Sequence, residues 1–261
     1  MRSTRWIAPV VGVAGFLVLW ELWVTVFDVP RFELPAPFDI VDHLLDDPGF
    51  YFENALVTAK EAMLGLAIAF VLALATASLV VHVPFLEGAA QPLVVLVQVT
   101  PIIAYAPAVV IWLGAGVRPI LVITAAVCFA PFYFNAITGL RSVDPSALEL
   151  LQSVDARKRE IYWRLRLPSS LPLLFAAGRI AIALSLVGAV LGEFFALVDE
   201  GLGAAIKKAQ AFNDVDQLWG SIFALALTGS LLVLALGAIE RAVLRWHPSV
   251  RPALDPPRSL R

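Results

Sequence analysis

The stretch Glu149–Pro172, ELLQSVDARKREIYWRLRLPSSLP, decides how this chain is read. It is the most polar long segment in a sequence that is 60% hydrophobic and only 15% charged. Arg157, Lys158, Arg159, Arg164 and Arg166 crowd into it, and Pro168 and Pro172 follow before the apolar text resumes. Just upstream, Asp144-Pro145 is a helix start, a capping acid followed by proline at the first helical position. Ala147, Leu148, Leu151 and Val154 then recur at three- and four-residue spacing, which gives a first short helix one apolar face. A second helical run is expected over 156–165, with Ile161 and Leu165 on one side. Its first turn holds Arg157, Lys158 and Arg159, where positive charge opposes the helix dipole. Those cations suit a partner surface or anionic headgroups better than they suit the helix. Pro168 is expected to end the run, and Pro172 to open the next apolar segment.

Working outward, the rest of the chain is oil. Soluble domains carry about 25% charged residues, so 15% marks an integral membrane protein. The apolar run 6–27 contains one acid, Glu21, and is longer than a signal-peptide core. At about 20 residues per crossing it reads as a retained membrane helix. Further spans are expected at 57–81, 91–113 (crossing Pro101 and Pro107), 118–139, 172–196 and 218–240. The fold class is therefore all-α, a polytopic bundle of six transmembrane helices with the charged loop between the fourth and fifth.

Six spans put both termini on one side, and basic residues choose which. With the N-terminus inside, the cytoplasm receives Arg2, Arg5, Arg141, Arg157, Lys158, Arg159, Arg164, Arg166, Arg241, Arg245, Arg251, Arg258 and Arg261. The outside receives Arg31, Lys60, Arg118, Lys207 and Lys208, together with the acidic segment 28–54. The charged loop is thus cytoplasmic. Within the outer segments, Phe38, Val41, Leu44 and Leu45 have helical spacing, and 204–212 forms a second short run; both are expected to lie along the membrane interface. Cys128 stands alone, so it is a small core residue and no disulfide framework exists within the chain. His43, His82 and His247 are scattered and suggest no metal. No loop is long enough to hold a nucleotide-binding domain.

The charged loop resembles the cytoplasmic EAA loop of ABC importer permeases. Glu149 matches the motif's glutamate, and Leu167-Pro168 with Pro172 match its ending. The two alanines are Leu150 and Leu151 here, and the glycine position holds Asp155. Asp155 is expected to preserve the break between the short helices by capping the next one through the N–H of Arg157 or Lys158. Four further blocks are similar to the family in order and spacing: LPAP (34–37), QPLVVLVQVTPIIAYAPAVVIWLGAG (91–116), FAPFYFNAITGLRSVDPSALEL (129–150) and GRIAIALSLVGAVLGEFF (178–195). They point to the branch serving taurine, aliphatic sulfonates, nitrate and thiamine-pyrimidine precursors.

The resemblance implies an inner-membrane permease subunit that itself does no covalent chemistry. Residues 1–30 would hold the N-terminal end and first helix. The permease core would span 31–245, with its coupling loop at 144–168, and 246–261 would be a cytoplasmic tail. A separate ATPase dimer, holding ATP and magnesium, would grip Glu149, Asp155, Ala156, Arg157, Lys158, Arg159, Leu167 and Pro168. A periplasmic or lipid-anchored binding protein would deliver substrate, and a second copy of the chain would complete the pathway; nucleic acid has no part in it. Pathway or gate candidates are Pro101, Pro107, Asn135, Arg179, Ser185 and Glu193. Glu193 is costly inside a span and should face the bundle or water, unless it sits solvated among the headgroups. Asn135, Thr138 and Ser185 could equally serve helix–helix hydrogen bonds. Arg179 could snorkel to the inner headgroups. The alternative function is a self-contained secondary transporter or channel. Such proteins show internal repeats and midplane ionisable residues; this sequence shows no repeat and almost no midplane charge. A membrane enzyme would need a cluster of His, Asp or Glu near one face, and none stands out.

Overall fold

The computed structural model describes residues 4–83 and 85–245; Arg2, Pro84 and the tail 246–261, with Arg251, Arg258 and Arg261, lie outside them. Every regular element among the described residues is helical. In chain order these are α1 (Thr4–Val26), α2 (Pro37–Asp46), α3 (Pro48–His82), α4 (Phe85–Val99), α5 (Ile102–Leu113), α6 (Val117–Arg141) and α7 (Pro145–Ser153). There follow α8 (Lys158–Ile161), a π turn (Tyr162–Arg166), α9 (Leu167–Phe195), α10 (Leu202–Phe212) and α11 (Val215–Val243).

Among the described residues, four helices are long and apolar enough to cross a membrane: Pro48–His82, Val117–Arg141, the run Lys158–Phe195 and Val215–Val243. The expected third span is instead two helices, α4 and α5, bent by 102° at Thr100-Pro101; the pair makes a fifth span if it crosses as one. Proline supplies the cause, because Pro101 has no N–H to continue the ladder of α4. The apolar part of α1 among the described residues is Val11–Val26.

Helix α6 lies between α3 and α9 and packs along both. The seams are lined with small residues: Ala62, Ala69, Ala73 and Ala77 on α3, and Ala177, Ala181 and Ala189 on α9, are all fully buried. At Gly188 and Gly192 of α9 an added Cβ would stand 2.7 and 2.8 Å from the Cα atoms of Thr124 and Ile120 on α6. Backbone meets backbone there, which is how helices associate in lipid, where burying an oily side chain against another helix gains little. The periphery is the reverse. Only 6% of the apolar window of α11 is buried, and Leu19, Trp23, Leu96, Leu227 and Leu231 face outward. Helix α1 docks on α11 through Trp20, whose ring centroid lies 5.3 Å from that of Trp219 and 5.9 Å from that of Phe223.

Expectations about two prolines fail here. Pro168 does not stop the charged loop's second helix and Pro172 does not open the fifth span, because Lys158–Phe195 runs on as one 38-residue rod that contains both. The π turn explains it: the N–H of Leu167 bonds five residues back to the carbonyl of Tyr162, and this wider turn makes room for a proline ring just downstream. Helix α10 forms over the expected residues; Leu202, Gly203, Ala204, Ala205 and Ala209 are buried against α3, α9 and α11, while Lys208 and Phe212 are exposed. Helix α2 does form where expected, with Phe38, Val41 and Leu45 exposed and Ile40 buried.

Candidate functional site

Polar chemistry collects at the two ends of α3. At its C-terminal end sits the charged loop. Asp144 caps α7, its carboxylate accepting from the N–H of Ser146 at 3.0 Å. Ala147, Leu148 and Leu151 are half-buried as their spacing predicted, but Val154, expected on the same face, is 68% exposed because α7 stops at Ser153; Leu150 is 67% exposed. Asp155 takes the left-handed conformation, φ +56°. Its N–H bonds to the carbonyl of Gln152, and that of Ala156 to the carbonyl of Leu151, both at 3.0 Å. These two bonds are the glycine-type stop at a helix C-terminus. Asp155 therefore ends α7 and does not cap α8; the expected cap is wrong in direction. Glu160 does that work from inside α8, its Oε2 accepting from the N–H of Arg157 at 3.0 Å.

The loop is fastened to the bundle at two points. Arg166 Nη1 donates to the carbonyl of Leu140 at 3.1 Å, and the hydroxyls of Tyr162 and Ser78 lie 2.7 Å apart. Glu149, Asp155, Arg157, Lys158 and Arg159 are all exposed, Ala156 is half-buried, and so are Leu167 and Pro168 at the start of α9. Arg157, Lys158 and Arg159 form no ion pair among the described residues.

At the other end of α3, the first N–H groups of α10 need partners, as at any helix start. Three side chains from distant elements supply them. Asn54 Oδ1 accepts from Gly201 at 2.7 Å, Thr58 Oγ1 from Leu202 at 2.8 Å, and Glu193 Oε2 from Gly203 at 2.6 Å. Gly201 has φ +107° and packs directly on the Glu193 carboxyl, so no side chain fits there. Glu193 is 0% exposed, which rules out the solvated-headgroup reading. Glu61, on α3, is 6% exposed, and Glu61 Oε2 and Glu193 Oε1 are both buried without a hydrogen-bond partner.

The remaining candidates are scattered. Pro101 starts α5 and Pro107 lies within it, both exposed. Asn135 Nδ2 donates to the carbonyl of Pro131 at 2.8 Å, Thr138 Oγ1 to that of Phe134 at 2.9 Å, and Ser185 Oγ to that of Ile182 at 2.8 Å. All three bonds stay within their own helices, and none of these side chains bonds to another helix among the described residues. The reason is local: a short polar side chain reaches the carbonyl three or four residues back more easily than a neighbouring helix. Arg179 pairs with Glu240 of α11, its Nε 3.1 Å from Oε2. Of the six, the structure brings only Glu193 into a polar cluster. Sequence reasoning missed Glu61, Thr58 and Asn54. Glu61 carried a signal, an acid four residues inside the expected second span.

Comparison with known proteins agrees with the architecture. The model of the family described as "Binding-protein-dependent transport system inner membrane component" matches residues 62–246. The formylaminopyrimidine transport permease protein ThiX of Halalkalibacterium halodurans is 31% identical over 247 residues, 94% of this chain and 98% of its own. The riboflavin transport system permease protein RibX of Chloroflexus aurantiacus is 31% identical over 235 residues, 89% of this chain and 87% of its own. The taurine transport system permease protein TauC of Escherichia coli is 26% identical over 266 residues, 96% of each chain. A helical membrane bundle with a stepped, charged loop leading into α9, matched over most of its length by transport permeases, belongs to the binding-protein-dependent transport system inner membrane component family, the permease subunits of ABC importers.

Proposed function

We propose that this permease crosses the bacterial inner membrane six times, with α1 as the first span, the α4–α5 pair as the third, and both termini in the cytoplasm. On this reading the loop 144–168 faces an ATPase dimer, which holds ATP and magnesium. The α2 and α10 end faces a periplasmic or lipid-anchored binding protein, and two copies of the chain enclose the pathway. The observation that carries it is the state of Arg157, Lys158 and Arg159: exposed, without ion pairs among the described residues, and placed at the start of the rod that becomes α9. Cations there are unfavourable for the helix itself, so their use lies in another surface. The rod gives that surface a stiff connection through Lys158–Phe195 to Glu193 and α10. Closure of the ATPase dimer would move the loops and tilt the rods.

For substrate, the two relatives at 31% identity are named for formylaminopyrimidine and riboflavin, and the one at 26% for taurine. We favour a small nitrogen heterocycle of the thiamine-pyrimidine type over a sulfonate, taurine or nitrate. Reconstitution tests both parts. Vesicles holding the permease with its cognate ATPase and binding protein should take up labelled formylaminopyrimidine only with ATP inside. Uptake without the ATPase would contradict the reading and favour a self-contained transporter. ATP-driven uptake of taurine but not of the pyrimidine would overturn the substrate class alone.

A further inference from the structure

A cavity of about 240 Å³ lies between α4 and α6. Its walls follow helical spacing. Glu87 and Gln91 stand four apart on α4, and Tyr133, Phe134, Thr138 and Arg141 share one face of α6. An ion pair closes one end: Arg141 Nη1 donates to Glu87 Oε1 at 3.0 Å, and Nη2 to Oε2 at 2.6 Å. Glu87 is in the first turn of α4 and Arg141 is the last residue of α6, so this is the end towards the charged loop.

The polar groups of the cavity have unused capacity. Tyr133 is 0% exposed, and its hydroxyl is buried with no hydrogen-bond partner. Such a hydroxyl costs stability in the empty protein, and a ligand that accepts from it would recover the cost. Thr138 spends its hydroxyl proton on the carbonyl of Phe134, so towards the cavity it can only accept. Gln91 is exposed, and its amide both donates and accepts. The Tyr133 ring is braced by Phe129, stacked at 5.7 Å between centroids, and meets Phe134 edge-on at 5.3 Å. The half-buried Phe134 adds an aromatic wall.

These groups select a ligand. The cavity's one cation, Arg141, is already held by both oxygens of Glu87. A sulfonate or nitrate would have to break that pair to be neutralised, and a buried anion left unpaired is costly. A neutral aromatic ring with an amino group and ring nitrogens accepts from Tyr133, donates to Thr138 and does both with Gln91, while its face packs on Phe134. The volume falls below the roughly 300–1,000 Å³ of pockets for drug-sized ligands. One ring fits, and a fused three-ring system does not.

We propose that this cavity is a binding subsite on the transport path for a neutral single-ring amino heterocycle, with Tyr133, Gln91 and Thr138 reading its edge and the Glu87–Arg141 pair closing it towards the charged loop. The proposal rests on the substrate reading given above and adds the place where this chain itself recognises the ring.

Tyr133→Phe removes the hydroxyl and keeps the ring, and Gln91→Leu removes the amide. Both are tested in vesicles with the cognate ATPase and binding protein, measuring formylaminopyrimidine uptake and ATP hydrolysis together. The expected result is uptake about three- to tenfold lower in each variant, with hydrolysis stimulated by the loaded binding protein within about twofold of the parent. Tyr133→Phe loses a group that has no partner in the empty protein, so it should melt at or above the parent's temperature. A merely structural tyrosine would not combine lower uptake with equal or higher stability. Parent-like uptake in both variants, a parallel fall of uptake and hydrolysis, or a Tyr133→Phe protein that fails to fold would each overturn the subsite while leaving the substrate reading intact. A parent transporter that carries taurine and not the pyrimidine would overturn both.

Discussion

The two ends of α3 hold polar residues in opposite ways. At the α10 end, Asn54, Thr58 and Glu193 each accept a backbone N–H from the α10 start, and glycine is the only residue that fits against the Glu193 carboxyl at position 201. At the charged-loop end, Glu149, Arg157, Lys158 and Arg159 are exposed, and among the described residues Arg166 and Tyr162 hydrogen-bond the segment to the bundle. Buried polar groups must be satisfied where they stand, so the first region is fixed by its own chemistry. Exposed charges on a short helix add little to stability, so the second region is free to be shaped by a partner. Substitutions should therefore unfold the first region and uncouple the second.

The largest loss of stability is expected at Gly201. Gly201→Val places a branched side chain at φ +107° and against the Glu193 carboxyl, and should cost about 3 kcal/mol or more. The check is the folded fraction by size-exclusion chromatography and thermal unfolding in detergent. Thr58→Val keeps the shape of the side chain and strands the buried N–H of Leu202. A loss of about 1–3 kcal/mol follows, visible as faster amide exchange at the start of α10. Parity of this variant with the parent would mean that the α10 end is no more constrained than the loop.

At the loop end the effects shrink and change kind. Asp155→Gly relieves a left-handed non-glycine residue and should stabilise by about 0.5 kcal/mol, read as a small rise in melting temperature. Neutralising Arg157, Lys158 and Arg159 together to glutamine should leave stability within about 0.5 kcal/mol of the parent. The same variant should lower ATP-driven uptake in reconstituted vesicles by about tenfold or more, by removing the charges that match a partner's surface. A variant that unfolds, or one that transports normally, would erase the contrast between the two ends.

Much of this was legible in the chain. Local chemistry announces itself: Asp144-Pro145 caps α7, the half-buried Ala147, Leu148 and Leu151 follow helical spacing, and Pro101 breaks α4 from α5. The π turn before Pro168 was not legible, because it depends on which carbonyl the N–H of Leu167 finds in three dimensions. The Glu193 cluster was half legible. An acid inside a span announces a partner, but the partner is the N–H of Gly203, at the start of the next helix. Helix α10 was legible as a helix, but not the anchoring of its start, because Asn54, Thr58 and Glu193, which accept its first N–H groups, come from distant elements.

The central claim is that the exposed loop is the surface on which the ATPase acts. The most direct measurement places a cysteine at Lys158 and asks whether it cross-links to a cysteine in the groove of the co-expressed ATPase. The native thiol, Cys128, is fully buried and stays silent. The account predicts a cross-link whose yield changes when ATP is bound. A Lys158→Cys thiol that never reaches the ATPase, in any nucleotide state, would contradict it.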